Sequence, residues 1–128
     1  MKNFLNIASW WLAVFLWAGF IFWLSSIPNL RSGLPTNWDL ILRKTLHITE
    51  YFFLTFLIFG ACSQGHNLPI KKALITSGII ALLYAASDEL HQSFVIGRHG
   101  GVTDVLIDSL GIGGYLGLII KRRLSFTN

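Results

Sequence analysis

The sequence has one cysteine, three prolines and few charges, and each shortage excludes something. With Cys62 alone, no disulfide can form within the chain. Charged residues make up 12% of the 128 positions, about half the share usual in a soluble domain, so an ordinary soluble fold is excluded. No segment shows the apolar–polar alternation of a half-buried strand, and an open sheet would leave backbone groups unpaired in lipid. Internal repeats and low-complexity segments are absent. So is the Cys/His spacing of a zinc site; His47-x-x-Glu50 is a weak signal by itself. The net charge of +4 does not indicate nucleic acid, because the basic residues cap the ends of apolar runs, as in membrane proteins generally.

What is present is hydrophobicity, 53% of the residues. One crossing of the hydrocarbon takes about 20 mostly apolar residues. Four stretches qualify, near 7–25, 46–62, 73–95 and 102–120. They predict an all-α integral membrane protein, a compact bundle of four transmembrane helices. Residues 1–128 would form a single membrane domain, with no room for another. Met1 and Lys2 before an apolar run resemble a signal peptide, but the run from Ile7 to Leu24 is too long and too rich in Trp and Phe. It reads as an uncleaved span. Trp10, Trp11, Trp23 and Trp38 fit interfacial belts, whereas Trp17 falls near mid-membrane and should pack on another helix. Lys2, Lys71, Lys72, Lys121, Arg122 and Arg123 lie on one side, against Arg31, Arg43, Lys44 and Arg98 on the other. That bias predicts cytoplasmic termini.

Pro28, Gly33 and Pro35 mark an irregular first loop, after which Thr36 or Asn37 can cap a helix beginning near Trp38. A break is expected at 63–67, Pro69 suits the first turn of the third helix, and that helix should run to about Phe94. Gly113 and Gly117 form a small-xxx-small pair, read chiefly as tight packing within the bundle and otherwise as the seam of a homodimer.

Charged groups gather at one end of three stretches: Arg43, Lys44, His47 and Glu50 open the second, Asp88, Glu89, His91 and Gln92 close the third, and Asp104 and Asp108 open the fourth. Alternating helix directions bring these ends to one depth, facing outward. Ionisable groups inside a span are costly and default to a functional reading. Helical spacing places Arg43, His47 and Glu50 on one stripe with Lys44 and Tyr51 on its flanks. Asp88, His91 and Gln92 share a face, with Glu89 turned about 100° away. Asp104, Asp108, Gly111 and Tyr115 form one line.

Three chemistries fit this inventory. Arg98, in a glycine-flanked turn, could hold a phosphate with its guanidinium and nearby backbone N–H groups, aided by Lys44 and Arg43, with His47 beside Glu50 as base or nucleophile. Asp88, Glu89, Asp104 and Asp108 could hold a divalent metal, for which oxygen ligands suit Mg, Ca or Mn. A proton or ion path fits less well, because acids are lacking deeper in the membrane. Each group also has an ordinary structural role open to it. Asp104 can complement a helix N-terminus, Arg43 and Lys44 can anchor at the interface, and Asp88, Glu89 and Arg98 can form an ion-pair network. His66 and His99 read as exposed loop residues. Ser87, near Asp88 and His91, gives a weak hint of a hydrolase triad.

The string KTLHITEY from Lys44 to Tyr51 resembles the K-x-x-H-x-x-E-Y motif of VanZ-like membrane proteins. Asp88-Glu89 with Gln92, Phe94, Gly97 and Arg98 is similar to the family's D-E-x-x-Q-x-F…G-R motif. Asp104 to Gly111 resembles D-x-x-x-N-x-x-G, with Asp108 where many members have Asn, and Ile96 stands where many have Pro. The resemblance spans roughly 10–120. It implies a four-helix protein of the bacterial cytoplasmic membrane, in a family named for a protein linked to low-level teicoplanin resistance. A proposed Lipocone superfamily groups these proteins with lipid-headgroup enzymes, which implies a membrane lipid or lipid-linked envelope precursor as partner. Carried over, Lys44, His47, Glu50, Tyr51, Asp88, Glu89, Gln92, Arg98, Asp104 and Asp108 would line the site. His47, Glu50, Asp88, Glu89 and Asp104 are then the candidate catalytic residues. Arg98, Lys44, Arg43, Gln92 and Tyr51 would bind substrate, and Asp104, Asp108 and Glu89 are the candidate metal ligands.

Overall fold

The computed structural model describes residues 2–126; Met1 and the Lys2 side chain, both used in reading the N-terminus, lie outside what it describes. The described residues form four helices and no strand: α1 (Lys2–Ser25), α2 (Thr36–Gly60), α3 (Ile70–Gln92) and α4 (Val102–Phe126). Each is long and apolar enough to cross a membrane. The outward faces agree: Phe15, Leu16, Leu83 and Leu110 are more than 60% exposed, an apolar exterior on all sides that suits lipid rather than water. The fold is an all-α bundle of four membrane helices.

Successive helices run in opposite directions. At one end Asn6 donates to the Gln64 carbonyl and Trp11 Nε1 to His66 Nε2. At the other, Asn29 N–H donates to the Ile96 carbonyl, tying the α1–α2 loop to the α3–α4 loop. α2 is the central element, contributing Tyr51, Leu54, Leu57 and Ile58 to the core, to which the turn that follows it adds Ala61 and Cys62. Its bulk meets small residues of α3, the buried Ala73, Ser77, Ala81 and Ala85, so the two helices fit large against small. Trp17 packs edge-on against Phe53, ring centroids 4.7 Å apart, and its indole N–H donates to the Glu50 carbonyl. That is the mid-membrane packing role its position called for.

Several boundaries differ from the sequence reading. The second span is Thr36–Gly65, far longer than 46–62, because the polar turns before Leu46 stay helical above the apolar run. Pro35 occupies the cap position, and neither Thr36 nor Asn37 caps. Asp39 secures this start instead: its Oδ1 accepts from Ser32 N–H and Oγ, and Arg43 Nε lies 3.0 Å from its Oδ2. The break expected at 63–67 comes later, since Ala61–Gly65 continues as a π-helical turn. This keeps Cys62 and Gly65 buried. Pro69 immediately precedes α3, and that helix stops at Gln92 rather than Phe94. Gly113 and Gly117 do not pack within the bundle. A side chain added at either would meet nothing within 4 Å. They face away from the other three helices, the side on which a second copy would have to bind.

Candidate functional site

The close approach on α4 falls at Gly111. A Cβ there would collide with the Ile48 carbonyl and the Phe52 N–H of α2. Only a glycine lets the two backbones touch at this level. Asp108, less than one turn away, is thereby carried into the bundle and is fully buried. Its Oδ1 accepts a hydrogen bond from His47 Nδ1 at 3.0 Å. Glu89 enters from α3, with Oε1 3.9 Å from the same nitrogen. Its other oxygen accepts from Gly101 N–H, which pins the start of α4. One ligand atom each from His47, Glu89 and Asp108 lies within 4.8 Å of the others.

A second polar centre lies on the α1 side. Asp88 Oδ2 accepts from Ser25 Oγ at 2.9 Å, Gln92 Nε2 at 3.0 Å and Tyr51 O–H at 3.3 Å. Gln92 links the two centres, with Nε2 3.5 Å from Glu89 Oε1. All four of Ser25, Tyr51, Asp88 and Gln92 are buried. The three donors satisfy Asp88 Oδ2, whereas Asp88 Oδ1 is buried with no hydrogen-bond partner.

Arg98 holds the rim. Gly97 has a φ of +77°, and a side chain there would strike Asn29, so the loop turns tightly and aims Arg98 back over the bundle. Its Nε donates to the Ile27 carbonyl at 3.2 Å and its Nη2 to the Leu24 carbonyl at 2.6 Å, capping the C-terminal end of α1, where a cation is favoured. Burial, with like-charge repulsion from Arg43, lowers the Arg98 pKa from its ordinary value, while Asp88, Glu50 and Glu89 oppose the shift. As an arginine it stays charged, and three of its five donors remain for other partners. A cavity of about 300 Å³ opens beneath it, lined among others by Arg43, Lys44, His47, Gln92, Asp104 and Asp108. A smaller one of about 70 Å³ lies on the other side of His47, between Leu24, Leu30, Leu46 and Glu50, and shares Arg43 and Arg98.

The structure redistributes several residues singled out from the sequence. Glu50 does not hold His47; Asp108 does. Glu50 instead lines the smaller cavity. Glu89 faces α4 and His47, although helical phase had set it apart from Asp88. His91 leaves the cluster: its ring stacks on Phe22 at 4.5 Å and its Nε2 bonds to Ser26 Oγ. Asp104 lines the cavity but stands outside the group formed by His47, Glu89 and Asp108, so the expected ligands Asp104, Asp108 and Glu89 are not brought together as a set of three. Of the backbone N–H groups near Arg98, its own donates to Val95 and that of Gly101 to Glu89, which limits the phosphate-binding turn to the side chain and the remaining amides. Ser87 is exposed and bonds to the Tyr84 carbonyl, away from any triad. His66 is exposed at the opposite end, and His99 is exposed yet sits at the cavity mouth with Thr103. Ser25 was missed; a serine ending an apolar run reads only as a helix stop.

No curated protein and no solved structure matches the chain. A model of the VanZ/LLP1 family matches residues 7–124. That match covers α1 through most of α4, including every residue of the polar centre, and the chain belongs to the VanZ/LLP1 family.

Proposed function

We propose that the chain, acting as one membrane domain over 1–128, is an enzyme for phosphate-linked lipid headgroups or lipid carriers of the outer leaflet. The observation that carries this reading is the stacking of charge. Arg43, Lys44 and Arg98 line a cavity together with the half-buried His47 and its buried partner Asp108. A phosphate suits three cations, and Arg98 offers it a planar set of donors. Leu24, Leu30 and Leu46 line the smaller cavity beside Arg43 and Arg98, giving an amphiphile an apolar surface next to its headgroup. His47 Nδ1 is committed to Asp108, and Nε2 has no hydrogen-bond partner among the described residues. In this reading Nε2 takes the proton from an attacking hydroxyl or water, the new P–O bond forms as the ester P–O bond to the leaving alcohol breaks, and the imidazolium returns the proton to that departing oxygen, a role that contributes about 10²–10⁴-fold. Gln92 and Tyr51 fix Asp88 and so the wall behind the substrate. Action on an outer-leaflet carrier is also how the chain would bear on teicoplanin susceptibility.

The test is mass-resolved lipid turnover by purified protein in nanodiscs, with and without added divalent metal. Turnover should fall at least about 100-fold in His47→Ala and should be lost in Arg98→Ala. Activity that survives both substitutions refutes the mechanism. Lipid retention without turnover would assign the cavity to binding alone.

A further inference from the structure

We infer that His47, Glu89 and Asp108 form a site for one divalent first-row transition-metal ion, held by Nδ1 and two carboxylates from three different helices. Four observations converge on it. First, the three ligand atoms lie within 4.8 Å of one another. Two ligands about 2.1 Å from one ion stand roughly 3–3.4 Å apart at octahedral or tetrahedral angles. His47 Nδ1 is 3.0 Å from Asp108 Oδ1 and 3.9 Å from Glu89 Oε1, so a shift of well under an ångström brings both into range.

Second, Asp108 is 0% exposed, yet its Oδ2 is buried with no hydrogen-bond partner. A buried carboxylate oxygen without a partner is costly, and a cation satisfies it directly. Third, the acids lack cations. Among the described residues, only His47 lies within ion-pair distance of Glu89 or Asp108; Arg43 pairs with Asp39, and Arg98 bonds to two carbonyls. Two carboxylates and one imidazole leave room for about two positive charges, and the interior of a membrane bundle makes that deficit expensive. Fourth, the second oxygen of Glu89 is already fixed by Gly101 N–H, the outer hydrogen bond that orients a ligating carboxylate.

The imidazole selects the ion. All-oxygen sites suit Mg²⁺ and Ca²⁺, whereas a nitrogen with two carboxylates suits Mn²⁺, Fe²⁺ or Zn²⁺. Three protein ligands leave coordination positions for water or an anion from the adjoining cavity. On binding, His47 Nδ1 gives up its hydrogen bond to Asp108 and its proton, and the remaining ring proton sits on Nε2, so the general-base role of Nε2 belongs to the metal-free protein. The inference does not depend on the phosphate reading, since it concerns the floor of the cavity and not its basic rim.

The experiment uses untagged full-length protein in detergent, stripped with chelator and then titrated with Mn²⁺, Zn²⁺, Mg²⁺ and Ca²⁺. Elemental analysis should return about one Mn²⁺ or Zn²⁺ per chain, with Mg²⁺ and Ca²⁺ at least about 10-fold weaker. Asp108→Asn, Glu89→Gln and His47→Gln should each weaken binding at least about 100-fold, beyond the loss typical of an outer-shell change. His66→Gln, at the opposite end, should leave it unchanged. Pulsed electron paramagnetic resonance of the Mn²⁺ form should show coupling to an imidazole nitrogen that His47→Gln removes while other bound Mn²⁺ remains visible. Gel filtration keeps only variants that fold, and three separate ligand variants make one misfolding case tolerable. Substoichiometric binding, affinity indifferent to all folded ligand variants, or Mn²⁺ without nitrogen coupling overturns the site. Absence of phosphate-lipid turnover by the metal-free protein, with metal binding intact, would refute the enzyme reading alone.

Discussion

His47 on α2 and Asp108 on α4 are joined by a hydrogen bond of 3.0 Å, at the level where Gly111 lets the two helix backbones meet. The polar pair and the glycine are one arrangement. Without the close approach the carboxylate would not reach the imidazole, and without the pair a buried acid would face an apolar core.

Substitution at Gly111 therefore tests the geometry. Gly111→Ala should lower stability by about 1–3 kcal/mol, the usual cost of overpacking, because the obstructing atoms are α2 backbone. Gly113→Ala, in open space, should stay within about 0.5 kcal/mol. Thermal unfolding in detergent reads both, and equal effects would contradict the close approach.

The Asp88 centre predicts a graded series. Tyr51→Phe removes one of three donors and should cost about 0.5–1.5 kcal/mol. Asp88→Asn sets an amide against Ser25, Gln92 and Tyr51 donors and should cost more, about 1–3 kcal/mol. The order of the two in denaturation is the check.

Arg98→Lys keeps the charge and loses the fork. A single ammonium cannot match the geometry in which the guanidinium spans the Leu24 and Ile27 carbonyls while presenting further donors. Stability should drop by about 1–3 kcal/mol, and affinity for a phosphate-headgroup lipid, measured in nanodiscs, should fall at least about 10-fold.

Asp108→Ala leaves the basic rim intact. Headgroup binding should persist, while turnover drops about 100-fold as the imidazole loses its orienting partner. Parallel loss of binding and turnover would instead place Asp108 in substrate binding.

Much of this was legible in the chain. Apolar runs of spanning length gave four helices, and the one-sided placement of their charges brought His47, Asp104 and Asp108 to one cavity. The errors have a common physical origin. α3 packs against both α2 and α4, so it has two inward faces; a single amphipathic stripe anchored on Asp88 and Gln92 could show only one. Glu89 was therefore turned away and His91 turned in. The Glu50 assignment failed because i, i+3 proximity along one helix competes with a neighbour that sequence cannot supply, here Asp108 across the Gly111 contact. The start of α2 was misread because no side chain caps it; hydrogen bonds from Ser32 in the loop to Asp39 in the helix hold it instead.

The length of α2 has one more consequence. From Gly65 to His47 the helix rises about 27 Å, nearly the full thickness of the hydrocarbon, about 30 Å. With its far end placed at one lipid boundary, His47 would sit just beneath the other, with Arg43 and Asp39 above it. The helix thus works as a depth gauge. Bilayers of shorter or longer chain length would raise or submerge the imidazole relative to the ester region, so lipid thickness itself would govern which groups reach it.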